Sequence, residues 1–212
     1  MNPAELRGLK REPAEALSLM LDTARYGGQR AQDLRAQGAT AGEVSWGGTR
    51  TANRDTLTGV ANRIGVDQRL REEWARAQRY KRPLAVLVLD TDQLRAVNEV
   101  QGLPAGDQLL NAIAVRVTTA VREADFVGRI GGDEFLVVCP ETPADGAGRV
   151  AARLRESVAA APVAMGLAAV QASVSVGWAA AEGLSDVSEM VSAAHRSLAV
   201  AKEQGRVNPP AN

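Results

Sequence analysis

Six consecutive apolar residues, Leu84-Ala85-Val86-Leu87-Val88-Leu89, end abruptly in Asp90. A run this short with no polar alternation is apolar on both faces, so it predicts a central strand buried between layers. The acid then stands at the C-terminal end of that strand. The rest of the chain has to supply the neighbouring strands and the covering helices.

Those elements can be read around it. A charged helix is expected over Val60–Tyr80, halted by Pro83, and another over Ala105–Val121, with Leu109, Leu110, Ile113 and Val117 along one side. Phe126–Ile130 and Phe135–Cys139 predict two strands joined through Gly131-Gly132, a two-glycine hairpin signal. Ala144–Ala160 predicts a helix and Val170–Trp178 a strand with alternating Ser173, Val174, Ser175 and Val176. A closing helix is expected over Val187–Gln204 with Gly205 as its stop. The order is that of an α/β (α+β) fold, a βαββαβ palm-like central sheet flanked by helices.

Upstream, residues 1–37 predict a helical N-terminal segment suited to dimerisation or signalling, and residues 38–54 a Gly/Thr-rich linker. The main domain is expected over residues 55–208. With 212 residues there is room for one ordinary domain and an appendage.

Composition narrows the chemistry. Twenty-five basic residues balance 25 acidic ones, which argues against a general nucleic-acid coat. One cysteine, Cys139, and one histidine, His195, make disulfide frameworks, cysteine-rich zinc sites and Ser-His-Asp mechanisms improbable. No stretch approaches the roughly 18 apolar residues of a membrane span, so a cytoplasmic location is expected.

Asp90 ends a strand and Asp133 sits at a hairpin tip. If the two strands are neighbours, both carboxylates emerge at one edge, and a divalent cation relieves their repulsion. Magnesium held by such acids and by substrate phosphates is the usual arrangement for nucleotidyl transfer, with manganese as the alternative. Gly131 and Gly132 carry no Cβ, so a bulky substrate can lie against the backbone. Alone, a Gly-Gly-Asp-Glu stretch is only a turn; the conjunction with Asp90 gives it weight.

The segment Arg129-Ile130-Gly131-Gly132-Asp133-Glu134-Phe135 resembles the signature of the GGDEF family, the diguanylate cyclases. Asp55-Thr56-Leu57-Thr58-Gly59-Val60-Ala61-Asn62-Arg63 resembles its opening motif, and Leu89-Asp90-Thr91-Asp92 its first metal-binding strand end. Ser175-Val176-Gly177 and Ala201-Lys202-Glu203-Gln204-Gly205-Arg206 resemble its closing motifs. The resemblance implies that Asp90, the Thr91 carbonyl and Asp133 hold magnesium, and that Gly131 and Gly132 pack against GTP. It further implies that Asn98 and Asp107 read guanine beside an apolar wall at Leu94, while Lys202 and Arg206 bind the triphosphate. Glu134 would assist deprotonation of the attacking 3′-hydroxyl. Arg122 and Asp125 match the family's Arg-x-x-Asp site, where cyclic di-GMP restrains its own synthesis. Catalysis would require a homodimer, one GTP on each subunit.

The sequence departs from the family's habits at Gln93-Leu94-Arg95, Glu99, Gln101-Gly102-Leu103, His195 and Ala199. These departures suit a second reading, a catalytically weak or inactive module that senses GTP or cyclic di-GMP. His195 is expected to be a half-exposed helix residue.

Overall fold

A computed structural model describes residues 53–165 and 168–207. The expected N-terminal helix and most of the expected linker lie outside the described residues. Five helices and six strands follow one another: α1 (Arg63–Tyr80), β1 (Leu84–Thr91), α2 (Leu94–Gln101), α3 (Leu103–Ala120), β2 (Phe126–Arg129), β3 (Glu134–Pro140), α4 (Ala144–Ala159), β4 (Val163–Met165), β5 (Ala168–Val170), β6 (Val174–Ala180) and α5 (Val187–Val207).

The main sheet has the strand order β2-β3-β1-β6, every pair antiparallel. β1 is central, and all eight of its residues are buried. Side chains alternate across a strand, and the two hydrophobic clusters divide accordingly. Ala85, Leu87 and Leu89 face a core shared with Leu109, Ile113, Val117, Val150 and Leu154 from α3 and α4. Leu84, Val86 and Val88 face Val66, Leu70, Met190, Ala194 and Leu198 from α1 and α5. The unbroken apolar run is thus explained by helices on both faces.

Several boundaries differ from the sequence reading, each for a local reason. α1 begins at Arg63 because Asn62 caps it: its side chain accepts from the Gly65 amide at 3.1 Å. α2 was missed altogether; eight residues offer too short a periodicity to register. A small β4–β5 hairpin precedes the final sheet strand, which starts at Val174 and runs to Ala180. Gly205 does not stop the last helix, which continues to Val207. Glycine lowers helix propensity by about 1 kcal/mol and does not forbid the conformation.

α5 lies almost on the backbone of β6. A Cβ placed on Gly177 would come within 2.0 Å of the Leu198 amide nitrogen. Among the described residues no helix is long and apolar enough to cross a membrane.

Candidate functional site

The register of β1 against its neighbours builds one end of the site. Asp90 pairs with Glu134 on β3 and with Ser175 on β6. Directly paired residues point to the same face, so Glu134, Asp90 and Ser175 form a row across three strands on the α5 side. Beyond the row, the Thr91 amide donates to the Asp133 carbonyl at 3.1 Å, tying the end of β1 to the hairpin tip. β1 and β3 are thus neighbours in the sheet, the condition on which the sequence reading of the two acids rested.

α5 closes this row from above. Lys202 Nζ lies 2.7 Å from Asp90 Oδ2. His195 Nε2 stands 3.8 Å from Glu134 Oε1, and His195 Nδ1 is 2.9 Å from the Val191 carbonyl oxygen. His195 is half-buried as expected, but its facing Glu134 was not foreseen. His195 and Lys202, seven residues apart on α5, are not connected to these strand-end acids by anything in the sequence pattern. Arg206 lies in the last turn of α5, and its side chain is outside the described residues.

Burial pushes the Asp90 carboxyl up; Lys202 opposes this, and the Asp133 and Asp92 charges add to it. Burial likewise raises Glu134, opposed by His195 and Lys202 and reinforced by Asp90 and Asp133. Despite the close Lys202 contact, desolvation wins at Asp90, because the residue is only 9% exposed and shares its edge with other acids. Hard carboxylate oxygens with a backbone carbonyl nearby suit a magnesium-like cation. No group of three or more His, Cys, Asp and Glu gathers as a metal cluster among the described residues.

The connection between β2 and β3 is four residues long, as the expected strand bounds imply, but lies one residue earlier in the chain. β2 ends at Arg129 and β3 begins at Glu134, so Ile130–Asp133 form the connection. Neither Gly131 nor Gly132 has positive φ. A Cβ on Gly132 would meet nothing within 4 Å. Internal packing gives no reason for glycine there, which leaves room for a group from outside. Arg129 braces the tip, donating to the Gly132 carbonyl at 2.6 Å and to Asp55 Oδ1 at 3.3 Å.

The second end lies where α2 meets α3. A Cβ on Gly106 would fall 1.9 Å from Asn98 Oδ1 and 3.1 Å from Leu94 Cδ1. Glycine is therefore required for these side chains to converge. Asn98 Oδ1 is buried without a hydrogen-bond partner, an arrangement that costs free energy until a donor arrives. Asp107 follows on the exposed side. Leu94 and Asn98 thus converge on Gly106, the residue before Asp107, and only two residues separate the end of β1 from the start of α2.

Arg122 and Asp125 stand apart, at the opposite end of β2 from the hairpin tip. Asp125 Oδ2 accepts from the Arg122 amide at 2.9 Å, and Arg122 is exposed. The motif thus folds as a turn with its guanidinium free to reach outward. Cys139 lies beneath it, buried as expected; burial raises its thiol, and Asp125 raises it further.

The family model described as "Diguanylate cyclase, GGDEF domain" matches residues 52–208. The chain belongs to the GGDEF family. This GGDEF domain is 36% identical over 152 residues to the diguanylate cyclase DgcP of Pseudomonas aeruginosa, covering 72% of this chain and 23% of that protein. It is 33% identical over 153 residues to the diguanylate cyclase DosC of Escherichia coli, covering 72% of this chain and 33% of that protein. The chain thus spans about a quarter to a third of the length of these relatives. Among solved structures, diguanylate cyclase SiaD of Pseudomonas aeruginosa, in complex with its activator SiaC, superposes with a TM-score of 0.71 at 33% identity, covering 91% of this chain and 71% of that one. The GGDEF domain of DgcB from Caulobacter crescentus, in complex with c-di-GMP, gives 0.69 at 25% identity, covering 73% and 89%. The palm-like α+β fold read from the sequence is that of these GGDEF domains.

Proposed function

We propose that this chain is a diguanylate cyclase, condensing two GTP molecules into cyclic di-GMP and two pyrophosphates across a homodimer. The observation that carries the reading is the row of Glu134 and Asp90 under Lys202, with Asp133 at its edge. A domain that only bound nucleotide would have little use for so much partly buried negative charge. The names and structures of the relatives support the same activity.

Asp90, Asp133 and the Thr91 carbonyl would hold magnesium, with manganese as a substitute; bound there, the ion supplies charge stabilisation to the α-phosphate and pyrophosphate oxygens. Asn98 Oδ1 accepts a hydrogen bond from an N–H on the guanine edge, and the Asp107 carboxylate accepts from N1–H and N2–H. Leu94 walls the base. Gly131 and Gly132 let the phosphates approach the backbone, and Lys202 and Arg206 neutralise them. The 3′-oxygen of one GTP bonds to the α-phosphorus of the other as the bond to pyrophosphate breaks in line. Glu134, whose raised carboxyl is inclined to take a proton, accepts the hydroxyl proton. A second, symmetry-related transfer closes the ring, so each subunit contributes half of the reacting assembly.

Arg122 and Asp125 would receive the product, Arg122 by phosphate or base stacking and Asp125 by the guanine N–H edge.

Purified protein given GTP and magnesium is expected to release pyrophosphate and form cyclic di-GMP, with a rate that rises more than linearly with protein concentration. Asp133→Ala is expected to lower the rate by about a thousandfold, the scale of lost electrostatic stabilisation. Absence of product from the unmutated chain at every protein concentration, together with tight cyclic di-GMP binding, would instead establish the sensor reading. Arg122→Ala is expected to leave the initial rate unchanged and to abolish slowing by added cyclic di-GMP.

A further inference from the structure

The two ends of the site are joined by the two residues between β1 and α2, and these residues are fastened with unusual density. The Asp92 amide donates to the Ser173 carbonyl at 3.3 Å. Ser173 Oγ donates to Asp92 Oδ2, and Ser175 Oγ donates to Asp92 Oδ1, each at 2.6 Å. Gln93 Nε2 donates to Ser173 Oγ at 2.9 Å, and the Ser173 amide donates to Gln93 Oε1 at 3.1 Å. Five hydrogen bonds thus bind a dipeptide to a segment 80 residues away.

Two further facts give this fastening a direction. Gln93 is the N-cap residue of α2, yet its side chain makes no capping hydrogen bond to that helix; it is committed to Ser173 instead. Ser175 sits across from Asp90 on the same face, yet its hydroxyl goes to Asp92. Asp90 itself is held by its place in a strand paired on both sides. α2, short and without a side-chain cap, has no comparable hold at its start.

We propose that Asp92, Gln93, Ser173 and Ser175 form a clasp that positions the start of α2, and hence Leu94 and Asn98, for recognition of the guanine base. The clasp makes no contact with substrate; it acts through the helix it anchors. It rests on the reading of Leu94 and Asn98 as the base-binding end. Its loss uncouples the two ends: base recognition weakens while the acid row on β1 and β3 stays in place.

The test uses the full chain and compares the unmutated protein with Ser173→Ala, which removes one donor and one acceptor of the clasp. Steady-state assays give kcat and KM for GTP. Competition assays give inhibition constants for guanosine, which reports the base end, and for inorganic tripolyphosphate, which reports the phosphate end. Ser173→Ala is expected to raise KM for GTP and the inhibition constant of guanosine at least fivefold. The tripolyphosphate constant is expected to change less than twofold, and Ser173→Thr, which keeps the hydroxyl, is expected to restore guanosine binding. If Ser173→Ala does not fold, Gln93→Leu removes two of the five bonds from the other side of the clasp and is expected to give the same split. Guanosine and tripolyphosphate constants that move together, or neither moving, overturn the clasp while GTP turnover by the unmutated chain leaves the cyclase reading intact. No turnover and no guanosine binding by the unmutated chain overturns both.

Discussion

At the scale of single residues, Gly132 in the β2–β3 connection and Gly177 within β6 show how differently a glycine can be used. Gly132 has open space where its Cβ would be, so substituting it costs the fold little and tests only what approaches from outside. Gly177 is the reverse case: its missing side chain is filled by the Leu198 backbone at 2.0 Å. Gly177→Ala is expected to destabilise the protein by about 3 kcal/mol, the upper range of overpacking, because backbone cannot rotate away. Urea denaturation checks this; a change below about 0.5 kcal/mol would show that α5 can move off the sheet. Asp55 offers a pH test. Burial pushes its carboxyl up, but the Thr58 hydrogen bonds and Arg129 outweigh it, so the net shift is downward from 3.8. A depressed acid stabilises the fold above its unfolded value, and that contribution is lost as pH falls through the lower folded value. Asp55→Asn is therefore expected to cost about 2 kcal/mol at pH 7. The gap between variant and parent should close as denaturation curves are taken to progressively more acid pH, below 3.8. A gap that stays constant with pH would mean that packing, not charge, holds the Arg129 brace.

At the scale of elements, legibility followed periodicity. The Leu84–Leu89 run, the paired strands around Gly131-Gly132, and the long helices carried enough repeating pattern to be placed from sequence within a few residues. α2 and the β4–β5 hairpin did not, since neither is long enough for its period to stand out. The placement of Asp90 at a strand end and of Asp133 in the hairpin connection was legible because these are local features, whereas Glu134 drew notice only through the resemblance. The Asp92 clasp and the His195–Glu134 approach were not, because both depend on which faces meet across segments far apart in the chain. The sequence pointed to Asn62 only as part of a motif near the start of α1; the structure adds a mechanical reason for it. Asn62→Ala is expected to cost about 1 kcal/mol, the usual worth of an N-cap side chain, and to be read as a shift in the urea midpoint. No shift would mean that the backbone contact of Asn62 with Asn53, at 2.9 Å, suffices to start the helix.

At the scale of the whole molecule, the layers have separate duties. α3 and α4 fill one face of the sheet with aliphatic side chains, while the α5 face changes from aliphatic packing near Met190 and Leu198 to charge near Lys202. One long helix therefore both seals a core and reaches the acids. The central position of β1 gives that arrangement a kinetic meaning. Its amides are locked between β3 and β6, so they exchange with solvent only when the sheet itself opens. Hydrogen exchange at Asp90 is expected to track the global unfolding free energy, whereas amides around Gly131 and Gly132 should exchange far faster. The acid at the centre of the site would then persist for as long as the native state does, and the turn beside it would be free to rearrange many times within that life.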